Sequence, residues 1–215
     1  LKTGILARAL PVINSDIDVS EIDLTDDADV ISSKFNKGSD KSPFLTSGYF
    51  VDGVAYTLKT QAKEGLDKAV LGDVLQKDSE VPDEYWVSPA RLKEWKYLKG
   101  AKSIEREHQG SGVKYNYAEG KMAFPDLLTN PSRTILTGEG GTSPSRFKHI
   151  IKVNNKYRRL TPVELERLNG FPDNWTKSDS KGRVISDGRR AFFMGNALVI
   201  PLITLVGKVI ASEIS

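Results

Sequence analysis

A chain of 215 residues, 39% hydrophobic and 27% charged, is long enough for one large domain or two small ones and can bury roughly 70% of its unfolded surface. Its mean hydropathy of -0.36 sets it among ordinary soluble proteins, and no window is expected to reach the roughly 18 apolar residues of a membrane span, the longest run, 197–210, being interrupted by Lys208. The absence of cysteine excludes disulfide scaffolds, thiolate metal sites and cysteine nucleophiles, and two histidines, His108 and His149, leave little room for a histidine metal cluster or a Ser-His-Asp triad.

The net charge of +3 is unevenly spread. Between positions 9 and 33 lie seven acids and no Lys or Arg, so the rest of the chain carries +10. Eight basic residues against three acids occupy 131–168, a balance that suits either a polyanion or a solvated basic face.

In chain order, the apolar stretch 4–13 reads as a strand, followed by an irregular acidic connector and a Gly/Ser/Asp/Lys loop over 36–43. Tyr49-Phe50-Val51 and Val54 to Leu58 flank Asp52-Gly53, which predicts a hairpin. Ser88-Pro89 opens a helix whose Leu92, Trp95 and Leu98 form one stripe before Gly100, with Tyr85 and Trp86 packed nearby as core. The polar, Gly-rich stretch 102–121 has no assigned structure, beyond Tyr115 and Tyr117 sharing a face if it is extended. Short strands are predicted over 134–137 and 149–153, separated by a Gly/Ser/Pro loop and followed by the turn Asn154-Asn155. Thr161-Pro162-Val163-Glu164 is a helix start with a capping-box Glu, stopped by Gly170. A last helix, apolar nearly all round, is predicted over about 197–210.

Two of these segments carry a family likeness. Arg159-Leu160-Thr161-Pro162-Val163-Glu164-Leu165-Glu166-Arg167-Leu168-Asn169-Gly170-Phe171-Pro172-Asp173 resembles the ninth sequence motif of DNA (cytosine-5)-methyltransferases, and Met194-Gly195-Asn196-Ala197-Leu198-Val199-Ile200-Pro201 resembles the tenth. The family's cofactor loop, Pro-Cys nucleophile, Glu-Asn-Val and Gln-x-Arg-x-Arg motifs have no counterpart here, and the first residue is Leu1. The resemblance therefore implies the C-terminal part of such an enzyme: a target-recognition region at 1–150, then a ninth-motif helix, connector and tenth-motif helix at 151–215. The implied class is α+β, a small recognition domain with irregular sheet and short helices, plus a C-terminal helix that in the family completes an α/β catalytic domain.

The family adds a cysteine thiolate to C6 of a flipped-out cytosine so that C5 accepts a methyl group from S-adenosylmethionine. A chain without cysteine has no catalytic residue for that step, and no metal site is expected. The resemblance implies that Asn196 and Ala197 open a helix beside the methyl donor, which is bound mainly by the missing part. Glu164 and Arg167, three apart on one helix, are expected to form a structural ion pair. Arg133, Thr134, Ser145, Arg146 and Lys148 are candidate DNA contacts, with surface ion pairing the alternative for the two arginines, and Arg158 and Arg159 are expected to meet phosphate. The implied partners are double-stranded DNA and an N-terminal catalytic domain on the same or a partner chain, in a cytoplasmic bacterial restriction–modification enzyme. No membrane is expected to be involved, and the fragment is expected to be inactive alone and to self-associate. The rival readings are a free-standing DNA-binding protein and a separate subunit of a two-chain methyltransferase.

Overall fold

The computed structural model describes residues 4–14, 18–34, 43–63, 69–110, 112 and 114–214. The loop expected at 36–43 lies almost wholly outside them. Contacts divide the chain into two units, Leu1–Asp67 with Leu202–Ser215, and Lys68–Pro201. Small antiparallel ladders and short helices make the architecture α+β.

In the first unit, helix α1 (Ile5–Ala9) precedes strand β1 (Val12–Asn14), so the single strand expected over 4–13 is corrected to a helical turn and a short strand. Pro11 forces the break, because its fixed φ and missing N–H suit neither a continuing helix nor a ladder interior. Next come β2 (Ser20–Asp23), α2 (Ala28–Lys34), β3 (Ser47–Val51), β4 (Val54–Leu58) and β5 (Thr60–Ala62). The sheet order is β2-β4-β3, and β1 pairs with β5. The β3–β4 hairpin turns on Asp52 (φ 50°) and Gly53 (φ 79°), the two positive angles that a two-residue turn matched to strand twist demands. Ala55 and Thr57 are buried on one face of β4 and Leu58 on the other.

The second unit starts with three 3-10 turns and helix α3 (Pro89–Lys99), which buries Trp95 and ends at Gly100. Strands β6 (Lys102–Glu107) and β7 (Lys114–Glu119) follow as a two-stranded ribbon. The stretch 134–137, expected as a strand, has none; it runs as an irregular segment against a helix. Strand β8 (Ile151–Val153) pairs with β9 (Lys156–Arg158) across Asn154 and Asn155, both at positive φ, a conformation that Asn adopts more readily than most residues. Helix α4 (Pro162–Leu168) carries the expected capping box: the Glu164 amide donates to Thr161 Oγ1 at 3.3 Å and the Thr161 amide to Glu164 Oε2 at 2.9 Å.

The final helix expected over 197–210 forms, starting three residues later, and a further helix that was not expected precedes it. Helix α5 (Asp187–Asn196) ends where Ala197 turns extended (ψ 148°), and α6 (Ile200–Ile214) begins three residues later. By length and composition the 28 residues Asp187–Ile214 could cross a membrane, with a mean hydropathy of 1.9 over their most apolar window, none of which is buried. That corrects the expectation that no such window exists. The break at Ala197 nevertheless leaves α6 with 15 residues, about 22 Å, short of the roughly 30 Å of a hydrocarbon core. The core of the second unit joins Leu71, Val74, Ile151, Leu160, Leu165, Ala191 and Met194, so the ninth-motif helix and α5 share one apolar contact.

Candidate functional site

Within the second unit a cleft of about 340 Å³ lies between Ser132–Ile135 on one side and Met194, Gly195, Ala197 and Val199 on the other, with Leu168 and Asn169 between them. Two glycines bring these segments together. A Cβ on Gly195 would sit 2.4 Å from the Thr137 amide nitrogen and 2.5 Å from the Leu136 carbonyl carbon, so the irregular segment packs directly on the end of α5. A Cβ on Gly140 would lie 2.9 Å from Gly188 Cα. Asn169, with no role in the sequence reading, ties the ends of three helices: its side-chain amide donates to Met194 O at 3.0 Å and its carbonyl accepts from the Ile200 amide at 2.8 Å.

Of the residues expected at the site, the cleft brings together Arg133, Thr134 and Ala197. Asn196 is the last residue of α5, and its side-chain amide donates to its own helix at Phe192 O, 3.0 Å away. The expectation that Asn196 and Ala197 open a helix is therefore corrected. They stand at a helix C-terminus, the negative end of the dipole, which favours a cation where a helix start would favour an anion.

The basic residues expected to meet DNA are mostly turned inward. Arg133 forks onto Asp126, Nε to Oδ1 at 2.6 Å and Nη2 to Oδ2 at 3.2 Å, and also reaches the carbonyls of Phe147 and Lys148. Burial raises the Asp126 carboxyl, but hydrogen bonds from Arg133 and the Ile150 amide outweigh it and hold the group below its ordinary value. Arg146 donates to the carbonyls of Leu98, Gly100 and Gly120 and pairs with Glu119 at 3.2 Å. Lys148 is buried and donates to Gly141 O and Ser143 O. Arg159, also buried, donates to Gly141 O and Glu84 O with its guanidinium over the Tyr85 ring. Ser145 Oγ accepts from the Phe147 amide, and Thr134 is exposed.

Arg158 requires the plainest correction. It is 0% exposed and makes a two-pronged pair with Glu164, 2.8 Å from Nη1 to Oε2 and 2.7 Å from Nη2 to Oε1, which leaves no face for a phosphate. The expected Glu164–Arg167 pair does not form. Arg167 instead forks onto Asp173 at 2.7 Å on each prong and donates to the carbonyls of Val74 and Leu75.

Several supporting groups had no signal in the sequence beyond their charge. Glu166, wholly buried, accepts from Arg190, from the amides of Asn174 and Thr176 and from the Thr176 hydroxyl. Lys99, 1% exposed, donates to the carbonyls of Arg146 and Lys148, and burial lowers its ammonium to about 8. His149 lies between Glu139 (Nδ1 to Oε1, 3.1 Å) and Ser132 Oγ (Nε2, 3.2 Å). The line has the order of a hydrolytic triad, yet His149 is 0% exposed and Ser132 Oγ donates to Arg133 O at 2.8 Å, so the three groups hold the cleft wall in place. Among the described residues no group of acids and histidines could hold a metal ion.

The profile of the family described as C-5 cytosine-specific DNA methylase matches residues 29–212. Over 208 residues the chain is 39% identical to the Type II methyltransferase M.Sau3AI of Staphylococcus aureus, a match covering 95% of this chain and 46% of that protein. The chain thus spans about half the length of this curated relative.

Proposed function

The chain belongs to the C-5 cytosine-specific DNA methylase family, and from that premise we propose that it provides DNA target recognition and structural completion for transfer of a methyl group from S-adenosylmethionine to C5 of cytosine. The observation that carries this reading is the cleft, where the segment leading to the ninth motif meets the end of the tenth-motif helix. With no cysteine in 215 residues, the thiolate that must add to C6 comes from another stretch of polypeptide, on the same or a partner chain. The Type II name of the relative supports placing the whole enzyme in a bacterial restriction–modification system, acting on double-stranded DNA in the cytoplasm.

The cleft residues fit only one end of the methyl donor. They include no carboxylate for ribose hydroxyls and no aromatic face for adenine. Ala197 lines the cleft, and Asn196 at the negative end of α5 has its carbonyl oxygen to offer an ammonium, so these two residues suit the donor's amino group better than its carboxylate. The rest of the donor would be held by the complementary part of the enzyme, which would also cover exposed apolar residues of α6 such as Leu202 and Ile203; without that cover the chain self-associates.

The test is methyl transfer from labelled S-adenosylmethionine to duplex DNA. The chain alone is expected to give background counts, and mixing it with a polypeptide bearing the cysteine-containing half of the enzyme is expected to give transfer at C5. Transfer by the pure chain would overturn the reading. Failure of the mixture, with the chain still binding DNA, would favour a free-standing DNA-binding protein.

A further inference from the structure

The β6–β7 ribbon has a shape that its own packing does not explain. Its strands are six residues each and pair from Lys102↔Glu119 to Glu107↔Lys114, with no third strand on either edge among the described residues. An isolated two-stranded ribbon is marginal in water. This one is fastened at its root. Arg146 donates to Gly100 O and Gly120 O, the residues on either side of the ribbon's open end, and pairs with Glu119, which also meets Lys102. The fastening fixes where the ribbon points and leaves the outer two-thirds exposed on both sides except for the half-buried Tyr117.

The two sides differ in chemistry. Directly opposed residues share a side, so Ile104, Arg106, Tyr115 and Tyr117 lie on one face while Glu105, Glu107, Lys114 and Asn116 lie on the other. On the first face the Arg106 guanidinium stacks 3.8 Å over the Tyr117 ring and makes no hydrogen bond or ion pair among the described residues. Stacking holds the guanidinium plane while leaving its in-plane N–H groups open, the state in which arginine reads a pair of acceptors. The second face holds Glu105 and Glu107, Glu105 paired with Lys114 at 3.1 Å, while the third carboxylate, Glu119, sits at the root of the first face and is neutralised there by Arg146 and Lys102.

We propose that this ribbon enters the major groove of duplex DNA with its Arg106–Tyr115 face toward the bases, Arg106 donating to N7 and O6 of a guanine and the acidic face turned to solvent. A major groove about 12 Å wide admits a two-stranded ribbon, and six residues per strand reach about 20 Å along it. The inference rests on the DNA-recognition reading above and names the residue that reads. Arg146 is then a positioning residue, acting through the ribbon's root.

The test uses this chain, a fluorescein-labelled duplex that the chain selects from a randomised pool, a scrambled duplex, and the selected duplex with 7-deazaguanine in place of guanine. Arg106→Ala is expected to cut affinity for the selected duplex by about 5- to 100-fold and to abolish the loss caused by 7-deazaguanine. Arg106→Lys is expected to keep binding to the scrambled duplex yet lose the preference, because it retains the charge without the fork. Lys181→Ala, which removes an exposed charge elsewhere, serves as the reference for loss of charge alone. If Arg106→Ala loses no more than Lys181→Ala and 7-deazaguanine has no effect on the wild type, the ribbon assignment falls while DNA recognition stands. If the wild-type chain binds no duplex at any salt concentration, both fall.

Discussion

Arg158 shows how a residue type that suggests a ligand can be consumed by the fold. Its pair with Glu164 is wholly buried, and the carboxylate also accepts from the Gln76 and Thr161 amides, so all four acceptor positions are used. Breaking a buried pair strands a charge, at a cost of about 3–5 kcal/mol, whereas replacing both partners by uncharged groups of similar volume is far milder. Arg158→Ala is therefore expected to lower the denaturant midpoint by an amount corresponding to that range, and Arg158→Met with Glu164→Gln to recover at least half of it. A lone Arg158→Ala that unfolds like wild type while losing DNA affinity would return this residue to the phosphate backbone. The periodicity of α4 makes its capping box legible, since a Thr, a Pro and a Glu at fixed offsets need only local geometry. The partner of Glu164 was not legible. The i, i+3 spacing to Arg167 is real, but a half-exposed intrahelical pair is worth only about 0.2–0.5 kcal/mol, too little to outbid a two-pronged contact from β9 in a dry site.

At the scale of elements, the joint between α5 and the segment before it depends on one missing side chain. A methyl group on Gly195 would strike the backbone at Leu136 and Thr137, which cannot step aside as a flexible side chain can. Gly195→Ala, although favourable by helix propensity, is expected to destabilise the second unit by about 1–3 kcal/mol and to open the cleft. Thermal unfolding measures the first, and the amide shifts of Thr134, Ile135 and Ala197 report the second; an unchanged or raised midpoint would mean the joint is loose. The tenth-motif residues were visible in the sequence and placed a helix start near Ala197, but helix α5, which ends there, was not visible. Residues 187–196 mix charges and glycines with apolar residues, and neither Gly195 nor Asn196 is a strong enough breaker to mark a helix end. The extended Ala197 follows from tertiary contacts: Asn169 holds both Met194 O and the Ile200 amide, and Gly170 at φ 81° admits Pro201 beside it. The hairpins divide in the same way. Asp52-Gly53 advertises its turn, whereas the β6–β7 ribbon carries charges along its strands, and the alternation of Tyr115 and Tyr117 is its one mark of extended structure.

At the scale of the whole molecule, α6 has no buried residue, and Leu202, Ile203 and Ile210 are each more than 40% exposed. Covering one such side chain is worth roughly 1.5–3 kcal/mol when burial is complete, so a few together make an association surface. Sedimentation velocity over a range of concentrations is expected to show self-association of the wild-type chain, relieved by Leu202→Asp with Ile203→Asp; a wild-type chain that stays monomeric at every concentration would show that α6 needs no cover. The basic surplus outside the acidic stretch behaves differently from what its sum suggests, because many of its members are spent on backbone carbonyls. Lys99, Arg133, Arg146, Lys148 and Arg159 together grip oxygens at Glu84, Leu98, Gly100, Gly120, Gly141, Ser143, Arg146, Phe147 and Lys148. A carbonyl is present at every position whatever side chain it carries. Loops moored in this way can be rewritten residue by residue without losing their anchorage, which makes the ribbon and its neighbours a natural cassette for redirecting specificity: the tips exchanged, the five cations left in place.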